Sequence, residues 1–220
     1  YYKEAFKNKA SVCILNKILD LDLNGYDDKT VLIANDTKKV LKELAEYKRS
    51  LFKGTVIGIT GSVGKTSTKE IIYNVLEKKY SVLKTNGNEN SQIGLPLTIT
   101  RLKDEDVMVL EMGMNDFNQM HNLSLIAKPD IAIITNIYDS HIGILGSREN
   151  ILKAKLEILD GMDNKTVIVN NDNDLLNNWA KTCNEEKIIT YGINNESDYM
   201  ATDIKEHEMI NFNVKNIDNI

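Results

Sequence analysis

The sequence predicts an α/β fold: a mostly parallel sheet built around a phosphate-binding loop, with helices on both sheet faces. Three observations predict it. From Thr55 onward, segments of strand and helix character alternate, the pattern of a doubly wound sheet. Several strand segments, such as VMVLE and IAIIT, are continuous apolar runs rich in Val and Ile. Such runs suit strands buried on both faces of a parallel sheet. Between the first of these strands and the following helix lies GITGSVGKTST, Gly58 to Thr68, a glycine-rich turn of the kind that cradles phosphate.

Residues 1–35 hold a helix-like stretch, Lys3–Lys9, and two short apolar strands, Ser11–Leu15 and Thr30–Ala34. They are too few to bury a core of their own and read as the end of a preceding domain. Residues 36–220 read as a second domain. Asp36 and Thr37 cap a helix through Lys39–Arg49, with Val40, Leu41, Leu44 and Ala45 at helical spacing. The predicted strands are Thr55–Thr60, Tyr80–Thr85, Val107–Met112, Ile131–Asn136, Thr166–Asn170 and Lys187–Tyr191. Helix Thr66–Lys79 carries Ile71, Ile72, Val75 and Leu76 on one face. Helix Arg148–Leu159 groups Ile151, Leu152, Lys155 and Ile158, and Leu175–Thr182 is a shorter helix. Lys84–Pro96 reads as a polar, glycine-rich loop, and Met200–Ile220 as two short strands.

Composition narrows the function classes. Hydrophobic residues make up 42% and charged residues 27% of the 220 positions, the balance of a globular chain. The net charge of −5 offers no support for nucleic-acid or anionic-membrane partners, which reward clustered Lys and Arg. No apolar run approaches a membrane span, so no membrane insertion is expected. Cys13 and Cys183 are too few for a disulfide framework and form no zinc pattern. A cytoplasmic setting is expected.

The loop points to ATP or GTP. Its glycines let the backbone approach phosphate oxygens, Lys65 supplies charge to the outer phosphates, and the Thr66 hydroxyl can ligate Mg²⁺. The usual glycine five residues before Gly64 is Ile59 here, and the glycines fall instead at Gly58, Gly61 and Gly64. Glu111 ends a strand at the side where open α/β sheets bind ligands, and its carboxylate suits Mg²⁺; the plainer reading is an exposed strand-end glutamate. Asn136 ends the next strand, and His141 follows as a candidate for a metal or phosphate. Asn88 and Asn90 make Lys84–Pro96 either a substrate-contacting loop or a plain connection. Lys155 is the charged member of an apolar helix face. It is either a lysine snorkelling from a core edge or a desolvated amine of lowered pKa, able to form a carbamate with CO₂.

Taken together, GITGSVGKTSTKE, TNGNENSQIGLPLT, VLEMGMN and ITNIYDSHIGILGSRENILKAKLEI closely resemble the Mur ligases, a family that shares the GxxGxxGKT loop. Within it, GNENSQIGLP resembles the branch that joins D-alanyl-D-alanine to UDP-N-acetylmuramoyl-tripeptide. The resemblance implies an ATP-dependent amide ligase of peptidoglycan synthesis that uses ATP and Mg²⁺, forms an acyl phosphate and works as a monomer. It implies that residues 1–35 end an N-terminal UDP-sugar-binding domain. Residues 36–220 would then be most of a central ATP-binding domain, and a C-terminal ligase domain would lie outside the chain, leaving it incomplete for catalysis. Carried over by position, Gly61, Ser62, Val63, Gly64, Lys65, Thr66 and Ser67 would hold the triphosphate. Asn88, Asn90 and Asn136 would lie near the nucleotide. Thr66, Glu111, His141 and a carbamylated Lys155 would face Mg²⁺, with Lys65, His141 and Lys155 catalytic. Two departures stand out: Ser91 replaces a frequent Asn, and IYDSH replaces small and proline-containing residues before the histidine. Other readings are a different amide ligase of the superfamily, such as a folylpolyglutamate synthase, or a nucleotide-binding module without ligase activity.

Overall fold

The structure is a computed structural model that describes every residue except 18–20, 164–165, 185–186, 207–209, 216 and 218–220. The first 35 residues form α1 (Tyr2–Lys7) and a two-stranded parallel sheet of β1 (Val12–Leu15) and β2 (Thr30–Ile33). Phe6 and Cys13 are buried there, whereas Val12, Leu32 and Ile33 are exposed. Next comes α2 (Thr37–Leu51), opened by Asp36, whose carboxylate accepts from the Lys38 and Lys39 amides at 2.8 and 3.1 Å. Ala45 is its fully buried residue; Leu44, predicted to share that face, is exposed.

The main sheet contains β3 (Thr55–Thr60), β4 (Val82–Lys84), β5 (Val107–Glu111), β6 (Ile131–Ile134), β7 (Thr166–Asn170), β8 (Lys187–Gly192), β9 (Tyr199–Glu206) and β10 (Ile210–Lys215). Their spatial order is β10-β9-β8-β7-β6-β3-β5-β4. Only the β9–β10 pair among the described strands is antiparallel. The tail thus forms two strands as predicted, although its last residues lie outside the described part. Helices α3 (Lys65–Leu76), α4 (Gly94–Thr100), α5 (Gln119–Ala127), α6 (Ile142–Leu145), α7 (Arg148–Leu156) and α8 (Asp174–Thr182) intervene, and a 3₁₀ turn at Glu157–Leu159 extends α7.

Strand side chains alternate between two cores. Val56, Met108, Leu110, Ala132, Ile134, Val167 and Val169 join Leu95, Ile99, Leu123, Ile151 and Ile158 on one face. Ile57, Ile59, Val107, Val109 and Ile133 pack on the other, with Ile72 and Leu76 of α3. Ile71 and Val75 do not share that face; they are 65% and 67% exposed. The two pairs lie about 100° apart around the helix, and the sheet covers only Ile72 and Leu76. The predicted Lys84–Pro96 loop ends earlier, because α4 begins at Gly94. Pro96 fits in the first turn, where a missing N–H leaves no helical bond unmade. The chain travels from β3 outward to β4, returns to β5 and then crosses β3 to β6. That reversal leaves the carboxyl ends of β3, β5 and β6 side by side, where open sheets bind ligands.

Candidate active site

Each of those three strand ends delivers a predicted residue. After β3 the backbone turns at Gly61, with φ +149°, and Gly64, with φ +81°. A Cβ on Gly61 would lie 1.9 Å from Thr135 Oγ1, so only glycine lets the loop approach β6 this closely. The loop is stapled to the segment after β6. Ser62 N donates to the Asn136 carbonyl at 3.0 Å, and Val63 N donates to Asn136 Oδ1 at 2.9 Å. Thr135 Oγ1 and Asn136 Nδ2 donate to the Val63 carbonyl at 2.7 and 3.1 Å. Ser62 Oγ accepts from the Tyr138 amide at 2.9 Å and sits 2.9 Å from Ser140 Oγ. Gly64 then caps α3, and Ser67 is exposed in its first turn.

The two lysines converge. Lys65 Nζ donates to the Gly61 carbonyl at 2.8 Å, and Lys155 Nζ donates to the same oxygen at 3.1 Å. Lys155 is 2% exposed, which overturns its reading as a snorkelling residue. Burial, then the Lys65 charge, lowers its pKa from the usual 10.5 to about 7. Burial also lowers Lys65, partly opposed by Glu111. His141 lies in left-handed backbone, with φ 63°, at the start of α6. Partial desolvation, then Lys155 and Lys65, hold it below the ordinary imidazole range.

Glu111 is 3% exposed, not the exposed strand end of the plainer reading. Its Oε2 accepts from Thr66 Oγ1 at 2.9 Å and its Oε1 from Asn90 Nδ2 at 2.7 Å. Thr85 Oγ1 accepts from its amide at 2.9 Å. Asn90 also accepts from the Gly113 amide at 2.8 Å, tying the loop after β4 to the end of β5. Asn88 is exposed and stands apart; its carbonyl accepts from Asn90 N at 2.8 Å.

Lys65, Asn90, His141 and Lys155 line one cavity of about 420 Å³ with Ser91, Gln92, Gly113, Asn115 and Gln119. A larger cavity, about 700 Å³, lies near the amino ends of the strands around Arg49, Lys53 and Asp130. Arg49 there is already bound by the carbonyls of Ala127, Phe52 and Lys128, and the parallel sheet presents its ligand end on the other side. The smaller cavity is therefore the candidate site. Among the described residues, no group of three His, Cys, Asp or Glu could hold a metal by itself. The Thr66–Glu111 oxygen pair nevertheless fits Mg²⁺, which binds through one or two carboxylates plus phosphate and water.

Comparison with known proteins agrees with this geometry. The Mur ligase middle domain family matches residues 59–219. The chain belongs to the Mur ligase family. A UDP-N-acetylmuramoyl-tripeptide--D-alanyl-D-alanine ligase of Bacillus subtilis (strain 168) is 41% identical over 199 residues, which are 89% of this chain and 43% of that protein. The crystal structure of MurF ligase from Thermotoga maritima in complex with ADP matches with a TM-score of 0.79 and 33% identity, over 94% of this chain and 47% of that one. Crystal structure I of MurF from Acinetobacter baumannii gives a TM-score of 0.83 at 29% identity, over 97% and 46%. The chain thus spans less than half the length of each of these relatives. The mostly parallel Mur ligase sheet predicted from sequence is the one observed.

Sequence reasoning gave no role to Lys69, Thr85, Thr135, Gln92, Asn115 or Gln119. Lys69 carried a signal: it lies four residues after Lys65, on the same side of the helix. The others are unremarkable polar residues until the fold brings them together.

Proposed function

We propose that this chain is the nucleotide-binding part of an ATP-dependent amide ligase. Its substrates are UDP-N-acetylmuramoyl-tripeptide and D-alanyl-D-alanine, its setting is cytoplasmic peptidoglycan precursor synthesis, and it acts as a monomer. Residues 1–35 end a UDP-sugar-binding domain, and residues 36–220 supply most of the ATP-binding domain. The observation that carries the reading is the convergence of Lys65, Lys155 and His141 on one cavity whose Asn90 binds the carboxylate of the Thr66–Glu111 pair. The similarity to a relative solved with ADP and to ligases named for these substrates supports it.

A carboxylate acylates poorly because its leaving group would be oxide. Phosphorylation by ATP makes an acyl phosphate, the amine attacks its carbonyl, and phosphate leaves. The loop of residues 61–67, through the amides that Asn136 does not bind, and the Lys65 ammonium hold the triphosphate and neutralise the transferring phosphoryl group. Asn90 braces Glu111, and Asn136 braces the loop. Asn88 is exposed in the loop that carries Asn90, where its carbonyl accepts from the Asn90 amide. Mg²⁺, held by Thr66 and Glu111, supplies further charge neutralisation when bound. The Lys155 amine, with a pKa of about 7, attacks CO₂, loses a proton to solvent and becomes an anionic carbamate. That carbamate and His141 are the groups that would hold a second Mg²⁺, which would add to the charge neutralisation.

The test offers the complete protein UDP-N-acetylmuramoyl-tripeptide and ATP with D-alanyl-D-alanine, L-lysine or L-glutamate, and weighs the products. Product with D-alanyl-D-alanine is expected. Product with one of the single amino acids instead would favour another ligase of the superfamily. ATP binding without any amide product would favour a non-catalytic module.

A further inference from the structure

Lys69 is fully buried, although the chemistry above gives it no task. In a helix, side chains lean toward the N-terminus. The Lys69 ammonium accordingly reaches the Glu111 oxygen that also accepts from Thr66, one turn earlier in the helix. Its Nζ is 3.2 Å from Glu70 Oε1, 3.8 Å from Glu111 Oε2 and 3.5 Å from the Gly87 carbonyl. Glu70 is bound in turn by Lys84. The result is a chain of alternating charge, Glu111–Lys69–Glu70–Lys84, running from the buried carboxylate to a strand at the sheet edge.

We propose that Lys69 is a positioning residue for Glu111 in binding the metal–nucleotide complex. The inference rests on the reading of Glu111 as a Mg²⁺ ligand. The distances support this role. Glu70 draws the ammonium to 3.2 Å, which leaves it 3.8 Å from Glu111. There it compensates the buried carboxylate without taking an oxygen lone pair. The direct bonds to Glu111 come from Thr66 and Asn90, which orient the two oxygens. Lys69 also reaches Gly87 in the loop that carries Asn90, so it supports the carboxylate from two sides.

Calorimetry of ADP binding to the complete protein, with and without Mg²⁺, tests this. Lys69→Met is expected to leave metal-free ADP affinity unchanged. It should cut the Mg²⁺-dependent gain by about 10- to 100-fold, the usual cost of removing a ligand's outer partner. In a Glu111→Gln background it should cost nothing further, because the two act as one unit. An unchanged or increased gain in Lys69→Met would overturn the proposal, the latter by showing that the ammonium merely competes with the metal. Equal losses with and without Mg²⁺ would overturn it too, as a general structural effect. If Glu111→Gln keeps the full gain, Glu111 is not a ligand and both readings fall. If Glu111→Gln loses the gain while Lys69→Met keeps it, the positioning role alone falls. Should Lys69→Met not fold, Lys69→Arg decides: it keeps the cation and is expected to keep the gain. A folded Arg variant without the gain would overturn the proposal.

Discussion

Individual residues in the phosphate loop answer to different constraints. Lys65 is chemical: its ammonium lies at the mouth of the loop, beside Lys155 and His141. Lys65→Ala in the complete protein is expected to lower the rate about 10²–10³-fold or more while leaving circular dichroism unchanged; near-normal turnover would remove the residue from the mechanism. Gly61 is geometric. Gly61→Ala would drive a methyl into Thr135 Oγ1 in a backbone region that L-residues rarely adopt, so ADP affinity should fall with stability. Normal ADP binding by that variant would show that the loop can move off β6. Lys155 is electrostatic. Its pKa falls from 10.5 unfolded to about 7 folded, so between those values the unfolded chain binds more protons. Stability from this group therefore rises with pH through that window, by up to about 1.4 kcal/mol per pH unit. Urea unfolding of the metal-free, nucleotide-free protein from pH 7.5 to 9.5 should show a positive slope that is smaller in Lys155→Met. Identical slopes would mean that the amine is not perturbed.

At the scale of elements, the site depends on how the end of β3 is stitched to the end of β6. The Asn136 side chain makes two of those stitches, to the Val63 amide and carbonyl. Asn136→Ala should cost about 1 kcal/mol of stability and weaken ADP binding, both measurable on one preparation; unaltered ADP affinity would make Asn136 a spectator. The strands β3 and β7 were legible to the residue, because buried parallel strands are unbroken apolar runs. The helices α4 and α5 were not. The first, GLPLTIT, holds a proline and β-branched residues that read as non-helical. The second begins and ends in left-handed backbone at Asn118 and Lys128, without a side-chain cap. Within the site, Lys65 and Thr66 stood out by motif and Glu111 and His141 by strand-end position, whereas Lys155 stood out as the charged member of an apolar helix face and took its proposed role from the family resemblance. Lys69 was legible only in its i+4 spacing from Lys65; a lysine in KTSTKE otherwise reads as solvated, and its burial comes from the loop after β4 reaching it at Gly87. The β5–Asn90 contact was equally hidden, since it joins residues 21 apart.

For the whole molecule, the chain spans less than half of its relatives, and the reaction proposed above is that of the complete protein. The chain alone is expected to give no amide product from UDP-N-acetylmuramoyl-tripeptide, ATP, Mg²⁺ and D-alanyl-D-alanine. Clear turnover would show that these residues carry the whole activity. The central claim is that the cavity between β3, β5 and β6 serves phosphoryl transfer to a substrate carboxylate. Isotope transfer tests it most directly. The complete protein is supplied with tripeptide substrate labelled with ¹⁸O in its terminal carboxylate, and the released phosphate is analysed by mass. An acyl phosphate hands one carboxylate oxygen to the departing phosphate, so phosphate carrying one ¹⁸O is predicted, in step with amide formation. Unlabelled phosphate accompanying the amide product would contradict the account.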